Sequence, residues 1–328
     1  MTTATTTPPT TNQPPSLSHS TFAKLSPTPY LLAHLIQNPP SRPNTRSPTQ
    51  SRPPHINTSS LTHASGSSVV RCGDTTVVCG VRAEILPISN TPSYRPSSNT
   101  TTLDNNIIKD LSLVVPNIEL STGCSPSHLP GSAPSSLAQT LSTRIYTLLT
   151  SSSILDPADL IIYSTTTSAE GETTQEVKGF WCLYIDTLYI SLDGSPFDTA
   201  WHAVLAALLD TRIPHAEWDA DTESILCSDS LSSSKKLTLN GLPIASTYAV
   251  FRETVKNEEK YWILADPDAF EEELCAESVC IVMDCTGGGE RILGISKAGG
   301  GTVGREEMRS VLALGAERWK EWKAVMEV

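Results

Sequence analysis

Residues 191–209 read Ser-Leu-Asp-Gly-Ser-Pro-Phe-Asp-Thr-Ala-Trp-His-Ala-Val-Leu-Ala-Ala-Leu-Leu, and this stretch decides the fold. Its first residues predict the end of a strand and then a tight turn at Asp193-Gly194. From Phe197 to Asp210 the sequence predicts a helix that is apolar nearly all round, and such a helix lies buried inside a protein. A loop that leads into a helix N-terminus can hold a phosphate with its backbone N–H groups.

The predicted phosphate loop at Gly194 and Ser195 lacks a cationic side chain. No Lys or Arg lies between Lys178 and Arg212. A site that holds phosphate for catalysis usually adds such a group, because a charge-assisted hydrogen bond is about twice as strong as a neutral one. The sequence therefore predicts the backbone shape of a phosphate site without its charge.

Composition predicts a globular protein with polar excursions. The chain has 328 residues, of which 38% are hydrophobic and 18% charged, so it can bury a large core in one or two domains. The net charge is -12, yet residues 1–100 carry seven Lys or Arg against two Asp or Glu. We therefore do not expect this chain alone to bind nucleic acid through a broad basic face.

Targeting signals and thiols indicate the compartment. No basic segment followed by an apolar run begins the sequence, and no apolar run is long enough to span a membrane. The eight cysteines are scattered, mostly through apolar segments where a thiol packs as a small hydrophobic group. We expect reduced cysteines, no membrane partner, and a protein of the cytosol or nucleus.

The order of predicted elements is strands, helices, strands and a final helix, which is an α+β pattern. Residues 1–20 form a low-complexity tail predicted to be disordered, and residues 21–53 a short helix with a basic, Pro-rich arm. Residues 54–215 are the first half, 216–236 an acidic, Ser-rich linker, and 237–328 the second half with its C-terminal helix. The arginines of the arm either contact RNA or a partner, or belong to a solvated linker.

Several segments resemble the RNase PH-like proteins. They are, in chain order, the hairpin sequence from Gly66 to Glu84, Val114–Leu120, the turn and helix after Leu192, Pro243–Phe251, and Asp266-Pro267 followed by Glu271–Glu273. The resemblance covers roughly residues 22–326 and is most specific for the non-catalytic subunits in the ring of the eukaryotic RNA exosome.

The resemblance implies a fold and a function. The fold would be RNase PH-like, with two β-α halves of ribosomal-protein-type topology packed as one unit. The chain would be a structural, catalytically inactive ring subunit for 3′–5′ RNA processing and decay, including rRNA maturation, in the nucleus, nucleolus and cytoplasm. Its partners would be other RNase PH-like ring subunits, an RNA-binding cap subunit, and RNA in the assembled channel. Exposed sheet edges and the apolar stripe of the last helix are candidate contact surfaces. The alternative is an active phosphate-dependent 3′–5′ exoribonuclease.

Carboxylates between Asp266 and Glu277 are the candidate remnant of an acidic site. Clustered carboxylates can bind Mg²⁺ or transfer protons, although a solvated turn would look the same in sequence. The resemblance places the key aspartate of active relatives near Ser278 or Val279, neither of which can do this chemistry. Glu273 and Glu277 are then vestigial acidic positions, and Glu277 alone could substitute.

RNA contacts are expected to be few. His128 lies where relatives often carry arginines, and Arg144 is the nearest remaining cation. We predict no catalytic residue, no metal and no cofactor. Cys275, Cys280 and Cys285 lack the spacing of a zinc site, and His202 is interpreted as a core histidine.

Overall fold

A computed structural model describes residues 18–91, 107–126, 128–129, 135–167, 173–255 and 258–327. Its helices are α1 (His19–Leu25), α2 (Pro27–Leu35), α3 (Ile107–Asp110), α4 (Ser136–Ser151), α5 (Pro196–Asp210), α6 (Ala269–Leu274) and α7 (Arg305–Met326). The predicted α+β class is confirmed. Most of the predicted tail, residues 1–17, lies outside the described residues. Ser18 caps α1, and His19 and Ser20 are the first residues of that helix.

Six strands form the first sheet: β1 (Pro54–Thr58), β2 (Gly66–Cys72), β3 (Thr75–Pro87), β4 (Val114–Leu120), β5 (Ile161–Thr167) and β6 (Thr173–Ser191). Their order is β1-β2-β3-β6-β4, and β5 pairs with the first part of the long β6. β4 runs parallel to β6, and the other pairs are antiparallel. The predicted two-residue turn at Gly73-Asp74 joins β2 to β3, with Gly73 at φ 60°.

Four antiparallel strands form the second sheet, in the order β12-β11-β13-β14. They are β11 (Ile244–Val255), β12 (Glu258–Ala265), β13 (Glu277–Asp284) and β14 (Arg291–Ala298). Short strands lie between the sheets in sequence: β7 (Arg212–Ile213), β8 (Ala216–Asp219), β9 (Ser224–Cys227) and β10 (Lys235–Lys236). The segment predicted as a linker, residues 216–236, therefore contains a β8-β9 hairpin. Ile225 of this hairpin packs against the largest hydrophobic cluster of the described residues.

The helix α5 lies at the centre of the molecule, as its composition predicts. Every residue from Phe197 to Leu208 is buried. α5 packs against β1, β2 and β3 of the first sheet and against β11 of the second. Because the helix is apolar on all sides, it can fill the space between the two halves and join them into one core.

The apolar stripe of α7 is not a free contact surface. Val311, Gly315, Trp319 and Trp322 are buried along it. A Cβ added to Gly315 would lie 2.4 Å from Ile281 Cδ1, so the helix packs directly on β13. This corrects the expectation that the stripe is available to a partner, because the second sheet and α5 cover it.

Candidate functional site

A cavity of about 490 Å³ lies beside the N-terminus of α5. Elements from both halves line it: α4 supplies Arg144, the loop before α5 supplies Ser195, α6 supplies Glu272, β13 supplies Ser278 and β14 supplies Lys297. The cavity is thus where the predicted phosphate loop, the predicted RNA-contact arginine and Ser278, one of the two positions expected for the aspartate of active relatives, come together.

The loop before α5 has the tight backbone that its sequence predicts. Gly194 and Ser195 both have positive φ values, 68° and 46°. A Cβ on Gly194 would lie 2.3 Å from the backbone oxygen of Pro267, so only glycine fits there. Ser195 Oγ donates a hydrogen bond to the same oxygen, at 3.2 Å. The loop is therefore packed against the segment that leads into α6.

A carboxyl group of the protein occupies the start of α5. The backbone N–H of Ser195 donates to Glu272 Oε1 at 2.8 Å. The next residue, Pro196, is at the first helical position and has no N–H to offer. In return, the backbone N–H of Ala269 at the start of α6 donates to Asp193 Oδ1 at 3.1 Å. Glu272 of α6 thus accepts a hydrogen bond at the start of α5, and Asp193, just before α5, accepts one at the start of α6.

Burial controls the protonation of two carboxyl groups here. Burial raises the pKa of Glu272 to about 7, against the opposing effect of the Ser195 N–H. Burial also raises the pKa of Asp198 to about 6, partly offset by its hydrogen bonds with Thr247. Asp198 Oδ2 accepts from the Thr247 N–H at 2.6 Å and Oδ1 from its hydroxyl at 2.8 Å. Asp198 thus fastens α5 to β11.

Two cations border the cavity. The guanidinium carbon of Arg144 lies 3.9 Å from the ring centre of Phe197, a cation–π contact. Its Nη2 also donates to Ser296 Oγ at 3.0 Å. Lys297 is exposed, and its Nζ donates to the backbone oxygen of Gly299 at 3.2 Å. The positive charge at this site therefore comes from α4 and β14 and not from the loop.

A third cation reaches the loop from the N-terminal arm. Arg52 Nη1 donates to the backbone oxygen of Asp193 at 2.6 Å. Its Nε and Nη2 donate to Oδ2 and Oδ1 of Asp266, at 2.9 and 2.6 Å. Although burial alone would raise the pKa of Asp266, the hydrogen bonds and charge of Arg52 hold it well below its usual range. The charge of Arg52 is thus matched within the protein.

The arm is not a solvated linker. Arg42 is 1% and Arg52 6% exposed. Arg42 Nη1 lies 3.3 Å from Glu271 Oε2, and Arg46 Nη1 lies 3.9 Å from Asp266 Oδ2. Burial lowers the pKa of Arg42 to about 10 despite Glu271. The solvated-linker interpretation is therefore wrong, because the arginines of the arm pair with the acidic cluster between Asp266 and Glu277. Contact of the arm with RNA or a partner stays a prediction.

Some of the predicted site residues border the cavity, and the others lie elsewhere. Arg144 and Ser195 line the cavity, and Gly194 lies next to it in the same loop. Glu273 is exposed on α6. The backbone of His128 closes a turn, accepting from the Gly123 N–H at 3.0 Å.

Glu277 lies on the other face of β13 from the cavity. Its Oε2 is 3.8 Å from Arg252 Nε, and the next residues on this face are Val279 and Ile281 beneath α7. Side chains alternate along a strand, so Ser278 faces the cavity and Glu277 cannot. The structure therefore does not bring the predicted acidic positions to the candidate site.

Glu272 and Arg52 are the residues that sequence reasoning missed. A signal for Glu272 was present, since Asp268-Ala269-Phe270-Glu271 matches a capping box and fixes the start of α6. Asp268 Oδ1 accepts from the Glu271 N–H at 2.9 Å, as that motif requires. No local signal connects Arg52 with Asp266, because 214 residues separate them.

His202 lies in the core, as interpreted, but neither of its buried ring nitrogens has a hydrogen-bond partner among the described residues. It stacks on Trp322 with ring centres 3.7 Å apart, and burial lowers its pKa well below the usual value. Among the described residues, no three His, Cys, Asp or Glu side chains are grouped to hold a metal ion. The same part of the chain contains no helix long and apolar enough to cross a membrane.

Comparisons with known proteins identify the family. The sequence model of the RNase PH family, which is described as "3' exoribonuclease family, domain 1", matches residues 50–214. "Exosome complex component rrp43" of Schizosaccharomyces pombe is 32% identical over 286 residues, which cover 87% of this chain and 89% of that protein. "Exosome complex component Rrp42" of Methanothermobacter thermautotrophicus is 28% identical, covering 80% of this chain and 81% of that protein.

Solved structures agree on the fold. A chain of the Archaeoglobus fulgidus exosome with RNA bound to the active site superposes with a TM-score of 0.64 at 21% identity, covering 90% of this chain and 96% of that chain. Rice Rrp46 superposes with a TM-score of 0.52 at 16% identity, covering 88% of this chain and 98% of that chain. From the fold, the family match and the identity with rrp43 together, this chain belongs to the RNase PH (3′ exoribonuclease) family.

Proposed function

We propose that this chain is a structural, catalytically inactive subunit of the RNase PH-like ring of the RNA exosome. The names of its relatives support membership of an exosome. In this role it pairs with other RNase PH-like subunits, supports an RNA-binding cap subunit and helps form the channel through which RNA passes. In the assembled ring, this chain would take part in rRNA maturation and RNA turnover in the nucleus, nucleolus and cytoplasm.

The proposal that the chain is catalytically inactive rests on one observation, the carboxyl group of Glu272 at the N-terminus of α5. Phosphorolysis needs inorganic phosphate at such a position, held by free backbone N–H groups. Here the Ser195 N–H already donates to Glu272, and Pro196 has no N–H. When Glu272 is ionised its charge also repels an entering phosphate.

A second group needed for cleavage is missing from the cavity. The family aspartate is expected at Ser278 or Val279, and the residue that faces the cavity at this level is Ser278. A serine hydroxyl cannot bind a metal or transfer a proton as a carboxylate does. Glu277 faces α7, which supports the absence of a substitute on β13.

An inactive subunit acts through its surfaces. Ring interfaces of an obligate assembly commonly bury more than about 2,000 Å². The edge strand β14 offers one such surface, with Ile292 46% and Ile295 50% exposed. An edge strand has unpaired backbone groups that a neighbouring chain can satisfy, so we assign β14 to a contact between ring subunits.

The test is a phosphorolysis assay on the purified chain and on the ring assembled with its sister subunits. Poly(A) RNA is incubated with inorganic phosphate, and ADP release is measured beside an active RNase PH. We expect no ADP above the level without phosphate. Arg144→Ala, on the cavity, and Arg309→Ala, exposed on α7, should give the same result as the unaltered chain.

Phosphate-dependent ADP release that is lost in Arg144→Ala but kept in Arg309→Ala would establish the alternative, an active exoribonuclease. Failure of the chain to enter a ring with its sister subunits would overturn the structural role separately. Size-exclusion chromatography of the co-expressed subunits measures this, and charged substitutions at Ile292 and Ile295 should weaken assembly.

A further inference from the structure

The outer face of the first sheet carries a groove of about 670 Å³. This face is the opposite side of β3 and β6 from α5. The segment from Leu61 to Ala64 forms one wall, and β4 forms the other with Asn117 and Glu119. A volume of this size is typical of sites that take a ligand or a peptide side chain.

The floor of the groove is apolar and open to solvent. Val78 lies opposite Leu188 in the β3-β6 pairing, and Leu188 is 39% exposed. Leu61 in the wall is 43% exposed. Gly80 has no side chain, and a Cβ there would lie 3.1 Å from Leu61 Cδ1. The absence of a side chain at Gly80 therefore lets Leu61 approach this part of β3 closely.

The polar groups of the groove are acidic in balance. Asp186 pairs with Gly80 across β3 and β6, and Asn117 Nδ2 donates to its Oδ1 at 3.2 Å. Glu119, on β4, lies opposite Leu188 of β6. The arginine that lines the groove, Arg82, already pairs with Glu84 at 3.1 Å. No cation within 4 Å neutralises Asp186 or Glu119 among the side chains that the structure describes.

We propose that this groove binds an extended peptide segment of a partner protein, with an aliphatic side chain on the Val78-Leu188 floor and a Lys or Arg beside Asp186 and Glu119. The aliphatic group removes exposed apolar surface from water. The basic group supplies the charge that the two carboxylates lack. RNA is disfavoured, because its phosphates would face those carboxylates. The surface is on the other side of the sheet from the α5 cavity, so its occupation is independent of catalysis there.

The test uses the full chain and a displayed library of random peptides. The library is selected on the unaltered chain and depleted on Leu188→Glu. We expect enriched peptides with an aliphatic residue within two positions of Lys or Arg. A synthetic peptide of the enriched sequence should bind about tenfold or more weakly to Leu188→Glu and to Asp186→Asn. Leu25→Glu, which alters an exposed residue of α1, should bind as the unaltered chain does.

Circular dichroism confirms that each variant is folded before its affinity is measured, and the conservative Asp186→Asn keeps the test valid if Leu188→Glu does not fold. Enrichment of peptides without basic residues, or equal binding to the unaltered chain and both groove variants, would refute the proposal. Competition of a uridine oligonucleotide for the same groove would replace the peptide with RNA as the occupant.

Discussion

Glu272 has the largest effect on what the α5 cavity can bind. Its carboxyl oxygen accepts the Ser195 N–H whether or not the acid is ionised, so a phosphate must displace it. Displacement would also leave a buried carboxyl group without its donor, which costs about 1–3 kcal/mol. In the proposed inactive subunit, this single side chain of α6 is enough to close the site to phosphate.

Titration of Glu272 gives a prediction in which pH changes stability. Its pKa is about 4.5 when unfolded and about 7 when folded, so the folded protein holds this proton over that range. The stability it contributes is complete below about pH 4.5 and is lost as the pH rises through 7. Glu272→Gln cannot ionise. The free energy of unfolding of the unaltered protein relative to Glu272→Gln should therefore fall by up to about 3 kcal/mol between about pH 5 and pH 8.

Urea unfolding of both proteins across this range measures the difference. Glu273→Gln, at an exposed position on the same helix, should track the unaltered protein. A difference between the unaltered protein and Glu272→Gln that is constant with pH would show that Glu272 is not buried against α5 as described.

The second residue-scale prediction concerns Gly194. Gly194→Ala forces a Cβ to within 2.3 Å of Pro267 O at a φ of 68°. The loop must move away from the segment before α6, so the free energy of unfolding should fall by about 2–4 kcal/mol. Gly287→Ala is the matched control, since nothing lies within 4 Å of its Cβ, and its effect should stay within about 0.5 kcal/mol. Equal effects of the two substitutions in urea unfolding would contradict the packing of this loop.

At the scale of elements, the N-terminal arm acts as a clamp on the strand-helix connection after β12. Arg52 and Asp266 are almost fully buried and joined by two side-chain hydrogen bonds. A buried charge is stable only when paired, because desolvation costs it several kcal/mol. The arm therefore holds the segment on which the Gly194 loop packs.

Arg52→Ala should lower the free energy of unfolding by about 3–5 kcal/mol, because it leaves Asp266 buried without its partner. Arg71→Ala removes the exposed ion pair with Asp74 and should cost less than about 1 kcal/mol. Chemical denaturation of the two variants gives both values. A cost for Arg52→Ala as small as that for Arg71→Ala would show that the arm does not clamp the connection.

The success of sequence reasoning also differs between elements. The turn at Asp193-Gly194 and the buried α5 were predicted, because glycine turns and apolar composition are local signals. The burial of the arm was not predicted, because each Arg alone is compatible with solvent and its carboxylate partner is more than 200 residues away. The β8-β9 hairpin was missed for another reason, since its Ser-rich and acidic composition resembles a linker.

At the scale of the whole molecule, the two halves share one core. The largest cluster of buried side chains joins Val77 and Leu183 of the first sheet to Ile244 and Val282 of the second and to Trp322 of α7. α5 passes through this cluster, and Asp198 fastens it to β11. Neither half can bury its apolar surface without the other.

A single cooperative unfolding transition follows from this shared core. Differential scanning calorimetry should show one peak with a calorimetric enthalpy equal to the van't Hoff enthalpy. Fluorescence of the tryptophans and far-UV circular dichroism should give the same midpoint. Two separate transitions would mean that the halves are independent domains.

The candidate site could be predicted only in part. Arg144 and Ser195, which the sequence singled out, both line the cavity, although their roles stay predictions. The orientation of Glu277 could not be predicted, because the face to which a strand residue points depends on register, and a shift by one residue reverses it. The expected aspartate position near Ser278 or Val279 and the carboxyl group of Glu272 can be related only when β13 and α6 are seen to border the same cavity.

The most direct test of the central claim is a calorimetric titration of inorganic phosphate into the unaltered chain and into Glu272→Ala, at about pH 8 where Glu272 is ionised. The closed site predicts no saturable binding to the unaltered chain at millimolar phosphate, and measurable binding once the Glu272 carboxyl group is removed. Saturable binding to the unaltered chain that is lost in Arg144→Ala would show that the site is open, and would contradict the account.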